Sequence, residues 1–315
     1  MLAHINLEDV KRLSQSDALG TELTMDKTTL CEPCVLGKLA RKPFKLRSAT
    51  SSTFPGELIV SDVMGPFSTT GIEGHRYFVT YIDYFTRFCT VALMKHKSEQ
   101  LENLKAFEAM FSNRHGVSIK EFQTDNGGEY LSIEGKKWMQ LKGIHHRTTA
   151  PGDSESNGLA ERMNRTLTDM ALSMIAQVVL PQSYFPWAIN AAAHIYNRRP
   201  HSSLPKRITP YQALFKQVPN LRYLRTFGCN AYRHIHDHQR KKLDFRAHQV
   251  VHIGYANSQK AYLLYDPDSK KTFVGRDVVF DEDHFDFALG KKALDPHSAD
   301  NKNFLTFPSK AHRHT

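Results

Sequence analysis

The stretch FQTDNGGEYL, residues 122–131, carries an apolar, strand-like run straight into Asp125, followed at once by Asn126, Gly127 and Gly128. Asparagine and glycine accept positive φ at little steric cost, so the run is turn chemistry at a strand end. The same small residues leave no bulk beside Asp125, and a large anionic substrate could approach its carboxylate closely. Taken alone, the stretch favours the plain turn, because loop glycines and acids are common. Its surroundings decide the fold. ELIVSDV (57–63), RYFVTYID (76–83) and FCTVALMK (88–95) read as three strands in quick succession, with a YFTR corner (84–87) between the second and third. KEFQTD (120–125) and IHHRTTA (144–150) read as two more strands. Helical patterns lie between and after them, at 98–116, 133–143 and 156–178. A three-strand meander followed by alternating helices and strands predicts a mixed, five-stranded α/β sheet covered on both faces.

The longest helical pattern has a readable facing. Leu159, Met163, Leu167, Met170, Ala171, Met174 and Val178 recur at three- and four-residue steps and form an apolar stripe for packing on the sheet. Glu161 lies about 200° from Leu159 at about 100° per residue and so faces away from that stripe. Asn157, Glu161, Arg165 and Thr168 make a polar stripe suited to a phosphate backbone, or to an ordinary solvated face with a Glu161–Arg165 pair. SYFPWAINAAAHIYNRRP (183–200) and TPYQALF (209–215) read as two further helices whose aromatic residues, Trp187 included, belong to the core.

The chain has 315 residues and a formal net charge of +10, with a pI near 9.3. That length can bury a core without disulfides, and the charge points to a polyanionic partner such as nucleic acid. No apolar run is long enough to span a membrane, and the N-terminus lacks signal-peptide features, so a reducing interior is expected. Cys31 and Cys34 form a C-x-x-C, half of a tetrahedral zinc site, to which His4 could add a third ligand. Cys89 and Cys229 read as small core residues. Lys38, Arg41, Lys42, Lys45 and Arg47 suit phosphates, or a solvated basic linker. After residue 220, CNAYRHI, HQVVHIGY, KAYLLYD and TFVGRDVVFD, separated by turns such as DPDSKK, predict a small antiparallel barrel over 221–287. His234, His236 and His238 alternate there and read as solvated rather than metal-binding. Residues 288–315 read as a flexible tail.

Three acids then stand out. Asp62 sits among Leu58, Ile59, Val60 and Val63, where a carboxylate is costly unless paired or metal-bound. Asp125 ends a strand, and Glu161 lies on the polar side of the long helix. Brought together, three carboxylates would repel unless cations compensate, and two Mg²⁺ or Mn²⁺ ions, which prefer oxygen ligands, would do so. Such a pair serves in-line phosphoryl transfer on a phosphodiester.

Asp62, Asp125 and Glu161, with thirty-five residues between the last two, match the Asp, Asp-x35-Glu pattern of retroviral-type integrases. SDVMGPF, YFVTYIDYFTRF, TDNGGEY and SNGLAERMNRTL resemble the integrase region of copia-type LTR retrotransposon polyproteins. LRTFGCNAYRHI, KLDFRA, HIGY and YLLYDPDSKKTFVGRDVVFDE are similar to the segment that follows the core there. The resemblance runs from His4 to about Glu282. It implies an RNase H-like core (48–220) between a zinc-binding pre-integrase module with a basic linker (1–47) and the small barrel. It further implies catalytic and metal-binding roles for Asp62, Asp125 and Glu161, and DNA contacts through Asn157, Asn164, Arg165 and the 38–47 cations. Joining of element DNA 3′ ends to target DNA, self-association and a nuclear site of action follow from the same resemblance. Zinc ligands carry over to His4, Cys31 and Cys34 only, because the first histidine of the His-His-Cys-Cys set would precede Met1. The module is therefore expected to be truncated, and the chain a piece of a polyprotein, a truncated copy or an incomplete gene model. Two alternatives remain: a DNA-binding remnant that joins nothing, and an RNase H-like nuclease using a further acid from Glu99, Glu102 or Glu108.

Overall fold

A computed structural model describes residues 12–13, 52–125, 127, 130, 132–148, 158–235, 240–242, 245–256 and 260–285. The zinc-ligand candidates His4, Cys31 and Cys34, the cations of 38–47, Asn157, His236, His238 and the 288–315 tail lie outside the described residues.

The first sheet has strands β1 (Leu58–Met64), β2 (Tyr77–Asp83), β3 (Cys89–Met94), β4 (Glu121–Thr124) and β5 (His145–Thr148), in the order β3-β2-β1-β4-β5. The meander β1-β2-β3 is antiparallel, while β4 and β5 add in parallel beside β1. Helices α1 (Gln100–His115) and α2 (Ile133–Leu141) make the crossovers, and α3 (Gly158–Val178), α4 (Phe185–Tyr196) and α5 (Pro210–Phe215) follow. The period of two along β1 sorts its side chains: Leu58 and Val60 join the core under α3 and α4, while Ile59 joins Leu104, Phe107 and Phe111 of α1 and Met139 of α2 on the other face. Apolar residues on both faces explain why β1 and β2 are nearly continuous hydrophobic runs.

The predicted stripe of the long helix is the one that packs. Met163, Leu167, Met170, Ala171, Met174 and Val178 are all buried, and Leu159 is partly so. Leu167 is fully enclosed, so cutting it to alanine would cost about 2–5 kcal/mol, transfer and cavity terms together. Beyond β1 the chain turns sharply at Gly65, whose φ is 126° and where a Cβ would fall 2.5 Å from the Arg76 carbonyl oxygen.

The second sheet is antiparallel, with β6 (Asn230–His234), β7 (Ala247–Tyr255), β8 (Tyr262–Asp266), β9 (Lys271–Gly275) and β10 (Val278–Asp281) in the order β10-β6-β7-β8-β9. TFVGRDVVFD, read from sequence as one strand pattern, is two strands on opposite edges, broken at Arg276 and Asp277. Two residues cannot cross a flat five-strand sheet, about 19 Å at the usual strand spacing, so the sheet is rolled until its edges approach. A Cβ on Gly275 would accordingly stand 3.3 Å from the Val278 side chain. Ala231, Val250 and Leu264 fill the interior. The outer side contributes Val251, Ile253 and Tyr265 to the core of α3 and α4, and the Tyr265 ring lies 4.9 Å from that of the buried Trp187. The apolar core is thus continuous across residue 220. Cys89 and Cys229 are buried and free, as small core residues should be.

Candidate active site

Strand pairing brings two of the three acids side by side. The parallel register of β1 and β4 pairs Leu58 with Glu121, Ile59 with Phe122 and Val60 with Gln123. Two more steps of the same offset set Asp62 level with Asp125, on the face that Val60 shares with α3. Adjacent strands are about 4.8 Å apart, so the pair is close by construction. Asp125 is fixed by its own turn: the Gly127 N–H donates to Asp125 Oδ1 at 3.0 Å. The turn is anchored on the opposite face, where Tyr130 is buried against Phe122 and its hydroxyl lies 3.1 Å from Ser61 Oγ. Thr124 Oγ1 meets His146 Nε2 of β5 at 2.9 Å, which ties the end of β4 to its other neighbour.

The third acid arrives on α3. Glu161 is exposed in the first turn of that helix. One turn on, Asn164 Nδ2 donates to Asp62 Oδ2 at 2.8 Å, and Asn164 Oδ1 accepts from Thr80 Oγ1 of β2 at 2.9 Å. Both ends of the amide are therefore committed, which fixes its orientation and holds the helix start over β1. Asn164 was placed on the DNA path by the resemblance, but it is only 3% exposed. Its amide is used inward, on the carboxylate, and is closed to a backbone passing over the surface. Arg165 is exposed as expected. Thr168 faces inward far enough for its hydroxyl to lie 3.6 Å from Met64 Sδ.

Asp62 is the electrostatic centre. Its carboxyl is raised to about 6: burial is the largest cause, the negative charge of Asp125 adds to it, the Asn164 amide opposes it, and Glu161 raises it again. Asp62 therefore senses both other acids. Among the described residues, no three of His, Cys, Asp and Glu are drawn close enough together to form a metal-binding set. The chemistry of Asp62 and Asp125 still suits a hard divalent cation, with carboxylate oxygens as donors and a central acid whose charge is disfavoured by burial and by its neighbours.

The acids of α1 and of the turn before it, the candidates for an RNase H-like fourth carboxylate, are used elsewhere. The helix packs on the sheet face opposite to Asp62. There Glu108 pairs with Lys142 at 2.9 Å, Glu102 pairs with Lys105 at 2.7 Å, and Glu99 accepts from the His96 N–H at 3.0 Å. Thr80, Tyr130 and His146 are site-supporting residues that sequence reasoning missed. Thr80 had a signal, being the lone small polar residue amid the apolar run YFVTYID. The other two depend on tertiary contacts.

Family models agree with this architecture. "Integrase core domain" models match residues 52–154 and 142–210, and "Retroviral polymerase SH3-like domain" matches 229–293. The retrovirus-related Pol polyprotein from transposon TNT 1-94 of Nicotiana tabacum is 34% identical over 90% of this chain. That from transposon RE1 of Arabidopsis thaliana is 34% identical over 84%. The chain spans 21% and 18% of the length of these two relatives. Among solved structures, the HTLV-2 integrase catalytic core domain in complex with magnesium is similar at TM-score 0.40 and 21% identity, covering 52% of this chain and 99% of that one, too distant to weigh in the assignment. An integrase core followed by a retroviral SH3-like domain, in one continuous match to plant copia-type elements, makes this chain a member of the integrase region of retrovirus-related Pol polyproteins.

Proposed function

We propose that the chain is a metal-dependent polynucleotidyl transferase that joins the 3′ ends of element DNA to target DNA, with Asp62, Asp125 and Glu161 as its catalytic carboxylates. What supports this reading is the parallel β1–β4 register, which carried two steps on brings Asp62 level with Asp125, together with the charges of Asp125 and Glu161 that raise the Asp62 carboxyl. Asp62 and Asp125 would share one Mg²⁺ or Mn²⁺, and Glu161 would complete a second site. Such ions supply Lewis-acid activation of a hydroxyl and stabilisation of the departing oxygen in phosphoryl transfer. The chain's own residues do the positioning. Asn164 and Thr80 set the Asp62 carboxylate, the Gly127 N–H sets that of Asp125, and the turn of small residues leaves room for a duplex. Arg165, Asn157 and the cations at 38, 41, 42, 45 and 47 would hold backbone phosphates, giving position without sequence preference. Joining two DNA ends calls for two active sites, hence a homo-oligomer, acting in the nucleus. A zinc ion on His4, Cys31 and Cys34 belongs to the same reading as a stabiliser of the N-terminal segment. No helix among the described residues is long and apolar enough to cross a membrane.

The test is strand transfer of a labelled duplex into plasmid with Mg²⁺ or Mn²⁺, comparing the chain with Glu161→Gln. Joined product from the former and none from the latter supports the reading. Equal product from both refutes it, and DNA binding with no joining by either protein supports a remnant that binds without catalysing.

A further inference from the structure

Between α5 and β6 the chain crosses from core to barrel, and a short piece of its N-terminal part is packed on that crossing. Arg12 and Leu13 are helical, and Leu13 is only 3% exposed. It packs with Leu221 and Leu224, against which Tyr223 and Tyr255 also lie. Both tyrosines reach the core at His194 of α4. The Tyr223 hydroxyl lies 2.8 Å from His194 Nε2, and the Tyr255 ring is stacked on the imidazole at 4.1 Å. The Arg225 N–H donates to the Tyr255 hydroxyl at 3.0 Å, and that hydroxyl donates to the Arg225 carbonyl at 3.1 Å. Core, crossing and barrel share one joint, and Leu13 belongs to it.

Beside this joint lies a cavity of about 330 Å³. Leu13, Pro200, Ile208, Val218 and Pro219 form the apolar half of its wall, and Val218 is 58% exposed. Arg12, Lys206 and Arg207 stand on the polar half. Arg12 and Arg207 already have partners, so the wall calls for apolar cover more than for an anion. Chain continuity names the cover. Lys11 is bonded to Arg12, a wall residue, and consecutive Cα atoms are about 3.8 Å apart, so the preceding residues leave from the rim of the cavity. The stretch INLEDVK, residues 5–11, has the composition that this wall needs. Ile5, Leu7 and Val10 supply apolar side chains, and at helical spacing Val10 shares the face of Leu13 one turn earlier. Glu8 and Asp9 supply negative charge opposite the exposed Lys206.

We propose that residues 5–11 dock over this cavity in cis, with Val10 against Ile208 and Val218, and so clamp the N-terminal segment on the joint between core and barrel of its own chain. The consequence is for assembly: the segment that carries His4 is held on its own core and does not reach over to a second copy. The inference rests on packing and chain continuity. It involves neither DNA nor metal and stands apart from the catalytic reading.

The test is cross-linking of the full chain carrying both Val10→Cys and Val218→Cys with a short bismaleimide, in an equal mixture of unlabelled and isotope-labelled protein. Cys89 and Cys229 are buried, and each single variant gives the background from Cys31 and Cys34. Peptide mapping should find the link between positions 10 and 218 within unlabelled or within labelled chains, with mixed pairs rare. Mixed pairs in statistical proportion would place the segment on a second copy and overturn the proposal, as would the absence of the link. Amide exchange gives a second readout in Val10→Asp and Val218→Asp. Val218 is exposed, so its substitution spares the core, and a melting transition as sharp as the parent's verifies the fold. Both variants should speed exchange across residues 206–213 on the order of tenfold while α3 keeps its rates. Parental rates in both variants would also overturn the proposal.

Discussion

Asp83 is buried and Asp62 partly so, near opposite ends of the same sheet, and desolvation raises both carboxyls. They differ in what surrounds them. Asp83 accepts from the Gly56 N–H at 2.8 Å, the Thr86 N–H at 2.9 Å and the Thr86 hydroxyl, and Arg87 adds a favourable charge. It closes the corner between β2 and β3. Asp62 has one side-chain donor, Asn164, and two like charges beside it. A buried acid ringed by donors fastens the fold. One faced by other acids carries a charge that the fold itself does not compensate, and on the proposed reading a cation would do so.

The contrast can be broken in several ways. The largest effect should come from Asp125→Asn, which keeps the turn's shape but removes a charge that the proposed reading assigns to metal binding. Joining should fall on the order of a thousandfold, several kcal/mol of lost charge stabilisation, with a melting temperature near the parent's. A comparable rate would remove Asp125 from the catalytic set. Asp83→Ala should do the reverse, costing about 3 kcal/mol in denaturant unfolding by orphaning buried donors, while metal binding at the other end persists.

A pH series sharpens the comparison. In chelated protein, the folded-state carboxyl of Asp62 is raised from 3.8 to about 6. The associated stability is fully present below about pH 4 and is lost as pH rises through 6, on the order of 2 to 3 kcal/mol. Unfolding free energies with EDTA should show that decline, and Asp62→Asn should flatten it. No flattening would mean that Asp62 is not under the strain described. The smallest effect belongs to Asn164→Ala, about 1 to 2 kcal/mol from an unsatisfied Thr80 and a less well held Asp62. Asn164→Ala should also raise the Mg²⁺ concentration needed for half-maximal joining, which a purely structural residue would not do.

Much of this was legible from the residues. All five strands of the core sheet announced themselves by β-branched and aromatic runs, and the face of α3 by its apolar period. Asp62 stood out because a charge amid Leu58, Ile59 and Val60 needs a reason. Asn164 was misjudged because it lies about 140° from Leu159, at the border of the apolar stripe, where helix angle alone cannot say whether an amide points to solvent or to a buried acid. The break in TFVGRDVVFD was written in Gly275-Arg276-Asp277, a turn signal masked by apolar residues on both sides. The Ser61–Tyr130 and Thr124–His146 contacts join residues 69 and 22 positions apart, and no local pattern reports such pairings.

The most direct test of the contrast is the rise in melting temperature on adding Mn²⁺ at pH 7.5, measured for the parent, Asp125→Asn, Glu161→Gln and Asp83→Asn. Cation binding to the folded state must stabilise it by mass action. The parent and Asp83→Asn should gain by the same increment, and Asp125→Asn and Glu161→Gln by little or none. Equal gains in all four proteins would place the cation elsewhere and contradict the assignment of the Asp62 end as the metal site.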